Sequence, residues 1–359
     1  MKSDTPILTV AIPTFNRAAK LQKQLERVLS QVTPEVQVSV YDNASPDETR
    51  EIVEKFNHPN LSYSRSQNNT GGHHNFFRCY EGCQTEWLWI LSDDDPITET
   101  AIADLLKLIK DCPYEVISTS TPAWRHLSDM VIDDISQLNA HEFDTFGWIS
   151  GNIYRMPVFR PLLWHFNTSM STPEPHVIIV LKLLEKKLGK ALLSTTKLIA
   201  EIFGCSPRWS TLDFLNMSCQ LPAHLSYPQH QALIAQRVYN NFYTWALVVG
   251  KREINDASDV PRWKRIRKVV RHTLLAYGAQ HPILDAFFPY KWDHTRGPKK
   301  TIRKRLRLLK YSVYYHTLVT LLAYSPDRCF LPIFRWIPKP RLGREWLFPE
   351  DGKDKLNVC

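Results

Sequence analysis

The apolar positions change period along the chain. Ile7 to Ile12 (ILTVAI) is a short β-rich run stopped by Pro13, which reads as a buried strand. Lys20 to Gln31 then places Leu21, Leu25, Val28 and Leu29 at helical spacing, with charges between them. Val36 to Tyr41 is a second strand. Ser45-Pro46-Asp47-Glu48 carries the signs of a helix start: Ser45 to cap, Pro46 at the first helical position, Glu48 to complete a capping box. Leu61 to Arg65 is a third strand, residues 68–72 a loop, His73 to Gly82 a helix, and Glu86 to Leu91 a fourth strand. Strands alternating with helices predict an α/β fold with a mostly parallel sheet and right-handed crossovers.

In such a sheet, ligands bind beyond the carboxyl ends of the strands. The polar clusters fall at those ends. Strand one leads into Pro13-Thr14-Phe15-Asn16-Arg17 and strand two into Asp42-Asn43-Ala44-Ser45. Strand three leads to Arg65 and the loop Asn68-Asn69-Thr70-Gly71-Gly72, and strand four to Ser92-Asp93-Asp94-Asp95-Pro96. Three adjacent carboxylates after an apolar run (WLWIL) repel one another and are costly to desolvate alone. A hard divalent cation with oxygen ligands, Mg²⁺ or Mn²⁺, would offset that repulsion and bridge the phosphates of a nucleotide. A solvated turn explains an isolated run of Asp equally well, but four polar tips on one edge favour a site. Neither GxxxxGK[ST] nor GxGxxG occurs, so phosphate is not gripped by a P-loop or a dinucleotide-type turn.

In their order and spacing, TVAIPTFNR, VYDNASPDET, NNTGGHHNF and WLWILSDDDP resemble the N-terminal half of family-two glycosyltransferases of the GT-A fold. The resemblance covers residues 7 to 110 and fades after residue 120. It implies a sugar nucleotide, a UDP- or dTDP-sugar, lying across the strand tips. Pro13, Thr14, Asn16 and Arg17 would line the base and ribose pocket. Asp42 would hydrogen-bond the pyrimidine, with Asn43 and Ser45 beside it and Arg65 and Gly71 near the nucleotide. Asp93 would contact the ribose, and Asp94 and Asp95 would hold Mn²⁺ or Mg²⁺ on the diphosphate. Ser92 stands where many members have an Asp opening a DxDD pattern. The resemblance also implies an inverting transfer to a hydroxyl of a glycan, lipid-linked, in surface polysaccharide synthesis at the cytoplasmic face of a bacterial-type membrane.

Members of this kind carry a general base before a helix of the acceptor half. The matching place is Ser171 to His176, ahead of Val177 to Leu188. Glu174 is the candidate base, and His176 the alternative, since an unperturbed imidazole titrates near neutrality. Glu174 read only as a complement to the helix N-terminus is the plain alternative. Ser150-Gly151-Asn152 is expected to floor the acceptor site, and Asp133 and Asp134 are further acids in a loop.

Charge divides the chain. The net charge is +9, yet residues 1–100 hold more acids than bases, while Lys251 to Lys310 holds 17 Lys and Arg against 5 acids. The stretches Arg262 to Arg271 and Lys299 to Tyr311 join basic, apolar and aromatic residues, as an interfacial helix on an anionic membrane would. An ordinary solvated helical face fits them as well. Nucleic acid is not expected, because no nucleic-acid fold signature accompanies the charge. The organisation expected is residues 1–224 as the transferase domain (1–110 donor half, 111–224 acceptor half) and 225–359 as a helical, basic region. Seven scattered cysteines without a paired CxxC suggest reduced thiols, and no apolar run is long enough to span a membrane, so a cytoplasmic protein, peripheral at the inner membrane face, is expected. A nucleotidyltransferase would need a basic, Gly-rich phosphate loop after strand one, which PTFNR is not. A non-catalytic nucleotide- or glycan-binding module is the remaining alternative.

Overall fold

The computed structural model describes residues 5–121, 125–138, 140–200, 217–248, 269, 270 and 272–279. The first half alternates as its periodicity requires: β1 (Leu8–Thr14), α1 (Ala18–Leu29), β2 (Val36–Asp42), α2 (Thr49–Lys55), β3 (Leu61–Arg65), α3 (Gly72–Gly82) and β4 (Trp87–Ile90). Next come α4 (Ala101–Ile109), β5 (Val116–Ser120), β6 (Met130–Ile132), α5 (Ala140–Thr145) and β7 (Asn152–Arg155). The remaining elements are α6 (Met156–Phe159), α7 (Leu163–Thr168), α8 (Pro175–Glu185), β8 (Ala191–Lys197) and α9 (Pro228–Val248).

The eight strands form one sheet in the order β3-β2-β1-β4-β7-β5-β8-β6. β1 pairs in parallel with β2 and β4, and β2 with β3. β7 is antiparallel to both β4 and β5. All seven residues of β1 and all four of β4 are buried, because helices cover both faces of a parallel centre. α1 lays Leu21, Leu25 and Val28 on that core. Every residue of α8 is buried, and its two charged side chains, Lys182 and Glu185, pair at 2.6 Å. After β3 the chain returns across the sheet to β4 on the other side of β1. The strand order therefore reverses at β1 and β4, and a crevice opens beyond their carboxyl ends.

Two local expectations are corrected. Pro13 does not end β1; it lies within it, opposite Tyr41. Pro13 has the strand parity of Ala11, whose carbonyl accepts from Leu91 of the β4 side. Pairing with β4 stops at Ala11, so a proline, which has no N–H, interrupts no rung there. Nor does Ser45 cap a helix. α2 begins at Thr49, and the Ser45 hydroxyl instead donates to Asp42 Oδ1 at 2.5 Å. Ala44, at φ 65°, turns the chain out of helical geometry just before it.

Contacts divide the chain into two compact units, and the first carries the whole sheet. In the second, Ile234, Ala235, Val238, Val270 and Leu274 are buried. The basic side chains of both C-terminal stretches lie outside the described residues. Among the described residues, no helix is long and apolar enough to cross a membrane, and Cys79, Cys83, Cys112 and Cys219 are buried free thiols.

Candidate active site

The crevice beyond β1 and β4 is framed by charge pairs. Thr14 donates to Asp93 Oδ2 at 2.6 Å, and Arg17 donates to Asp93 Oδ1 at 2.7 Å while lying 3.0 Å from Asp94 Oδ2. Lys20 meets the same Asp94 oxygen at 2.9 Å, and Ser92 donates to Asp94 Oδ1 at 2.6 Å. The SDDD loop is itself held from behind. Gln24 donates to the carbonyls of Ser92 and Asp95, and the Ser92 N–H donates to the Ser150 hydroxyl.

The three neighbouring carboxylates differ in their proton affinity. Burial raises Asp93, and Arg17 and Thr14 only partly oppose it. Burial also acts on Asp94, but the donors Ser92, Lys20 and Arg17 outweigh it and hold this carboxyl below its ordinary range. Asp95 has hydroxyl and indole donors, Ser150 and Trp148 Nε1 (3.1 Å). Burial, reinforced by the charges of Asp94 and Asp93, pushes it up to about 6.

The β2 tip is a saturated node. Asp42 is fully buried, and its Oδ1 accepts from the Ser45 N–H and hydroxyl. Its Oδ2 accepts from Tyr63 at 2.6 Å and from Arg65 at 2.8 Å. A nucleobase reaching Asp42 would share or displace the donors on Oδ2. Asn16, at φ 55°, donates its N–H to the Ser45 hydroxyl and so joins the β1 and β2 tips. Asn43 orders the next loop: its amide donates to Asn69 Oδ1 and the Gly71 carbonyl, and its oxygen accepts from Thr70. Gly71 sits at φ +90° with open space around its α-carbon, so backbone conformation, not crowding, calls for glycine.

Within the acceptor half, the short segment Gly147-Trp148 joins Asp95 to Glu174. Trp148 bonds Asp95. Gly147 packs against Glu174: a Cβ at residue 147 would stand 2.3 Å from Glu174 Oε1. The Gly147 carbonyl accepts from His176 Nε2 at 3.0 Å. Glu174 occupies the N-cap position of α8, yet its side chain makes no capping bond. Burial, with the Asp144 carboxylate beside it, pushes its pKa up to about 8. His176 is 4% exposed, and its Nδ1 has no hydrogen-bond partner. Burial, with a lesser contribution from His73, outweighs the Gly147 carbonyl and depresses the ring to about 4.

The structure thus brings Thr14, Arg17, Asp93, Asp94 and Asp95 together, and links Asp95 to Glu174 and His176 through two residues. Asp133 and Asp134 stand elsewhere: Asp134 caps a short 3₁₀ turn, and the pair lie near Lys190 and Lys187. Ser150 and Asn152, expected as a floor, are buried supports, Ser150 under the SDDD loop and Asn152 donating to the Phe146 and Trp148 carbonyls. The sequence reading passed over Lys20, Gln24, Tyr63, Asp144 and Gly147. It also passed over Asn75, which ties the ends of β1 and β2 through the Thr14 and Tyr41 carbonyls. Only Lys20 had a local signal, one helical turn beyond Arg17.

Comparison with known proteins agrees with this architecture. Residues 9–128 match the family described as Glycosyl transferase family 2. Abequosyltransferase RfbV of Salmonella typhimurium is 28% identical over 105 residues, which is 28% of this chain and 31% of that protein. The GalNAc(5)-diNAcBac-PP-undecaprenol beta-1,3-glucosyltransferase of Campylobacter jejuni is 28% identical over 105 residues, 28% of this chain and 34% of its own length. The matched regions thus span about a third of these curated relatives. Among solved structures, S. aureus TarS 1–349 in complex with UDP-GlcNAc superposes with a TM-score of 0.58 at 16% identity, over 87% of this chain and 90% of that one. At that identity the likeness concerns the fold, a GT-A glycosyltransferase fold.

Proposed function

We propose, from the premise that this chain carries a family 2 glycosyltransferase domain at residues 9–128, that it transfers a sugar from a nucleoside-diphosphate sugar to a hydroxyl of a glycan, with inversion. The observation that carries this reading is the carboxylate cluster at the point where the strand order reverses, with an acid of raised pKa joined to it by Gly147-Trp148. The nucleotide would lie over Pro13, Thr14, Asn16 and Arg17, with its base toward Asp42, Asn43 and Arg65, the Gly71 loop beside it, and its ribose at Asp93.

The residues present fit a divalent cation. Among the described residues no set of three His, Cys, Asp or Glu side chains is gathered as a metal cage. Mg²⁺ and Mn²⁺ need none here, because such ions are held by one or two carboxylates, with substrate phosphates and water completing the sphere. Asp94 and Asp95 supply two hard oxygen donors, and the charges of Asp94 and Asp93 add to the burial that raises Asp95. A bound cation would supply Lewis-acid stabilisation of the departing diphosphate.

The chain's own residues do the rest. Arg17 and Lys20 neutralise the carboxylates facing the phosphates. Glu174 Oε takes the proton of the acceptor hydroxyl as that oxygen bonds to the anomeric carbon from the face opposite the breaking carbon–oxygen bond to diphosphate. Its raised pKa suits this task, since a base poised near the working pH accepts protons best in the transition state. His176, neutral and held to the Gly147 carbonyl, is the weaker candidate for that role.

The lipid-linked acceptor and an anionic membrane surface belong to the same proposal. They are supported by the 17-to-5 excess of base over acid in residues 251–310 and by the lipid-linked acceptor named in the Campylobacter relative. A thermal-shift screen of UDP- and dTDP-sugars with and without Mn²⁺ tests the donor reading, since a ligand of the folded state raises its melting temperature by mass action. A shift with one nucleotide sugar only when metal is present supports it. No shift with any of them sinks it.

A further inference from the structure

His73 opens α3 at the donor edge, directly after the Gly71-Gly72 loop, and both of its ring nitrogens face carbonyl oxygens of the segment before Glu174. Nδ1 lies 3.1 Å from the Met170 oxygen, and Nε2 lies 3.0 Å from the Pro173 oxygen. These contacts cross 97 and 100 residues of sequence. A carbonyl oxygen only accepts, and a neutral imidazole has one N–H, so both bonds form together only when the ring carries two protons. A side chain chosen only to fill this gap would need no such pairing.

The segment it holds leads straight to the candidate base. Pro173 precedes Glu174. Within the loop the Ser169 N–H donates to the Phe166 carbonyl, the Thr172 N–H and hydroxyl both donate to the Ser169 carbonyl, and Met170 makes a long 3.5 Å contact to Asn167. Gly147 packs directly against Glu174 itself.

We propose that His73 is a positioning residue: its doubly protonated ring staples residues 170–173 to the first turn of α3 and thereby sets Glu174 against the donor edge. The proposal rests on Glu174 being the base of the proposed transfer. The titratable groups around the ring are His176 on α8, which is disfavoured as a cation by the charge of His73, Glu174 one residue beyond the accepting Pro173 carbonyl, and His74 on α3 itself, whose ring is engaged with Thr70. Protonated His73 and neutral His176 are therefore mutually consistent, and deprotonating His73 frees one of its two carbonyl partners.

The test combines amide hydrogen exchange with kinetics on the full-length protein. Protection at Met170, Thr172 and Val177, corrected for intrinsic rates, should be roughly tenfold lower in His73→Gln than in the wild type, the equivalent of one lost hydrogen bond. Turnover should drop by about tenfold in that variant while the donor KM stays near its wild-type value. Nitrogen-15 shifts of the wild-type ring read the two protons directly and serve equally if His73→Gln fails to fold. Protection at Met170, Thr172 and Val177 unchanged in His73→Gln, a singly protonated ring, or unchanged turnover in His73→Gln would each overturn the proposal. If the staple behaves as expected but Glu174→Gln keeps full turnover, the base assignment fails and the staple itself stands.

Discussion

Two acidic regions, joined by Gly147-Trp148, are built on opposite terms. At the β4 tip, three carboxylates share Arg17, Lys20 and a set of hydroxyl and indole donors, and Asp94 is held below the usual range. At the start of α8, Glu174 stands without a capping bond, beside another acid, Asp144, and is pushed up to about 8. The residue chemistry is nearly the same. The difference is the supply of donors against the cost of desolvation, which suits the first region to the phosphate and cation of the proposed transfer and the second to its proton.

The largest expected effect comes from the first region. Asp94→Asn removes an anionic oxygen from the cation's reach and leaves Arg17 and Lys20 undercompensated. Turnover should fall by about a thousandfold, roughly 4 kcal/mol of transition-state stabilisation. Metal-dependent binding of a nucleoside diphosphate, read by calorimetry, should weaken with it. Near-normal turnover would dissolve the contrast between the regions.

Glu174→Gln should reduce turnover by about a hundredfold with donor affinity little changed, as expected when basicity alone is lost. In the wild type the base works only when ionised, so kcat should climb as pH rises through about 8. A flat profile across that range would move the proton to another group, with Asp144 and His176 the neighbours to examine.

Gly147→Ala sharpens the comparison by acting between the regions. Its Cβ would stand 2.3 Å from Glu174 Oε1, so the carboxylate must move while Trp148 keeps its place beside Asp95. A fall in kcat of around tenfold with an intact circular dichroism spectrum is expected. An equal loss of donor binding would show that the two regions are not separable.

The smallest effect concerns stability. Glu174 has a raised pKa in the folded state, so below its unfolded value, near 4.5, its proton costs the fold nothing. As pH rises from there to about 8 the unfolded chain sheds the proton first, and stability falls. Glu174→Gln should therefore raise the melting temperature relative to wild type by a few degrees at pH 8.5 and by less at pH 5. The same increment at both values would contradict an isolated, desolvated carboxyl.

The linear sequence by itself determined the layout of the donor half. Continuous apolar runs and amphipathic stripes are local, so β1 to β4 and the helices between them were legible to within a few residues. The polar tips followed, because in a parallel sheet every strand ends on the same edge. Where local signals misled, a distant partner had overridden them: the Ser45 hydroxyl is taken by the buried Asp42 carboxylate, and Pro13 fits inside β1 because its neighbour has already ended. Glu174 was legible as an acid ahead of a helix, but its proton affinity was not. That is decided by burial and by the Asp144 carboxylate, a group tens of residues away that only packing brings beside it. Desolvation and charge act through space, so a pattern along the chain can name the acids while only the tertiary structure sets which of them is anionic and which waits for a proton.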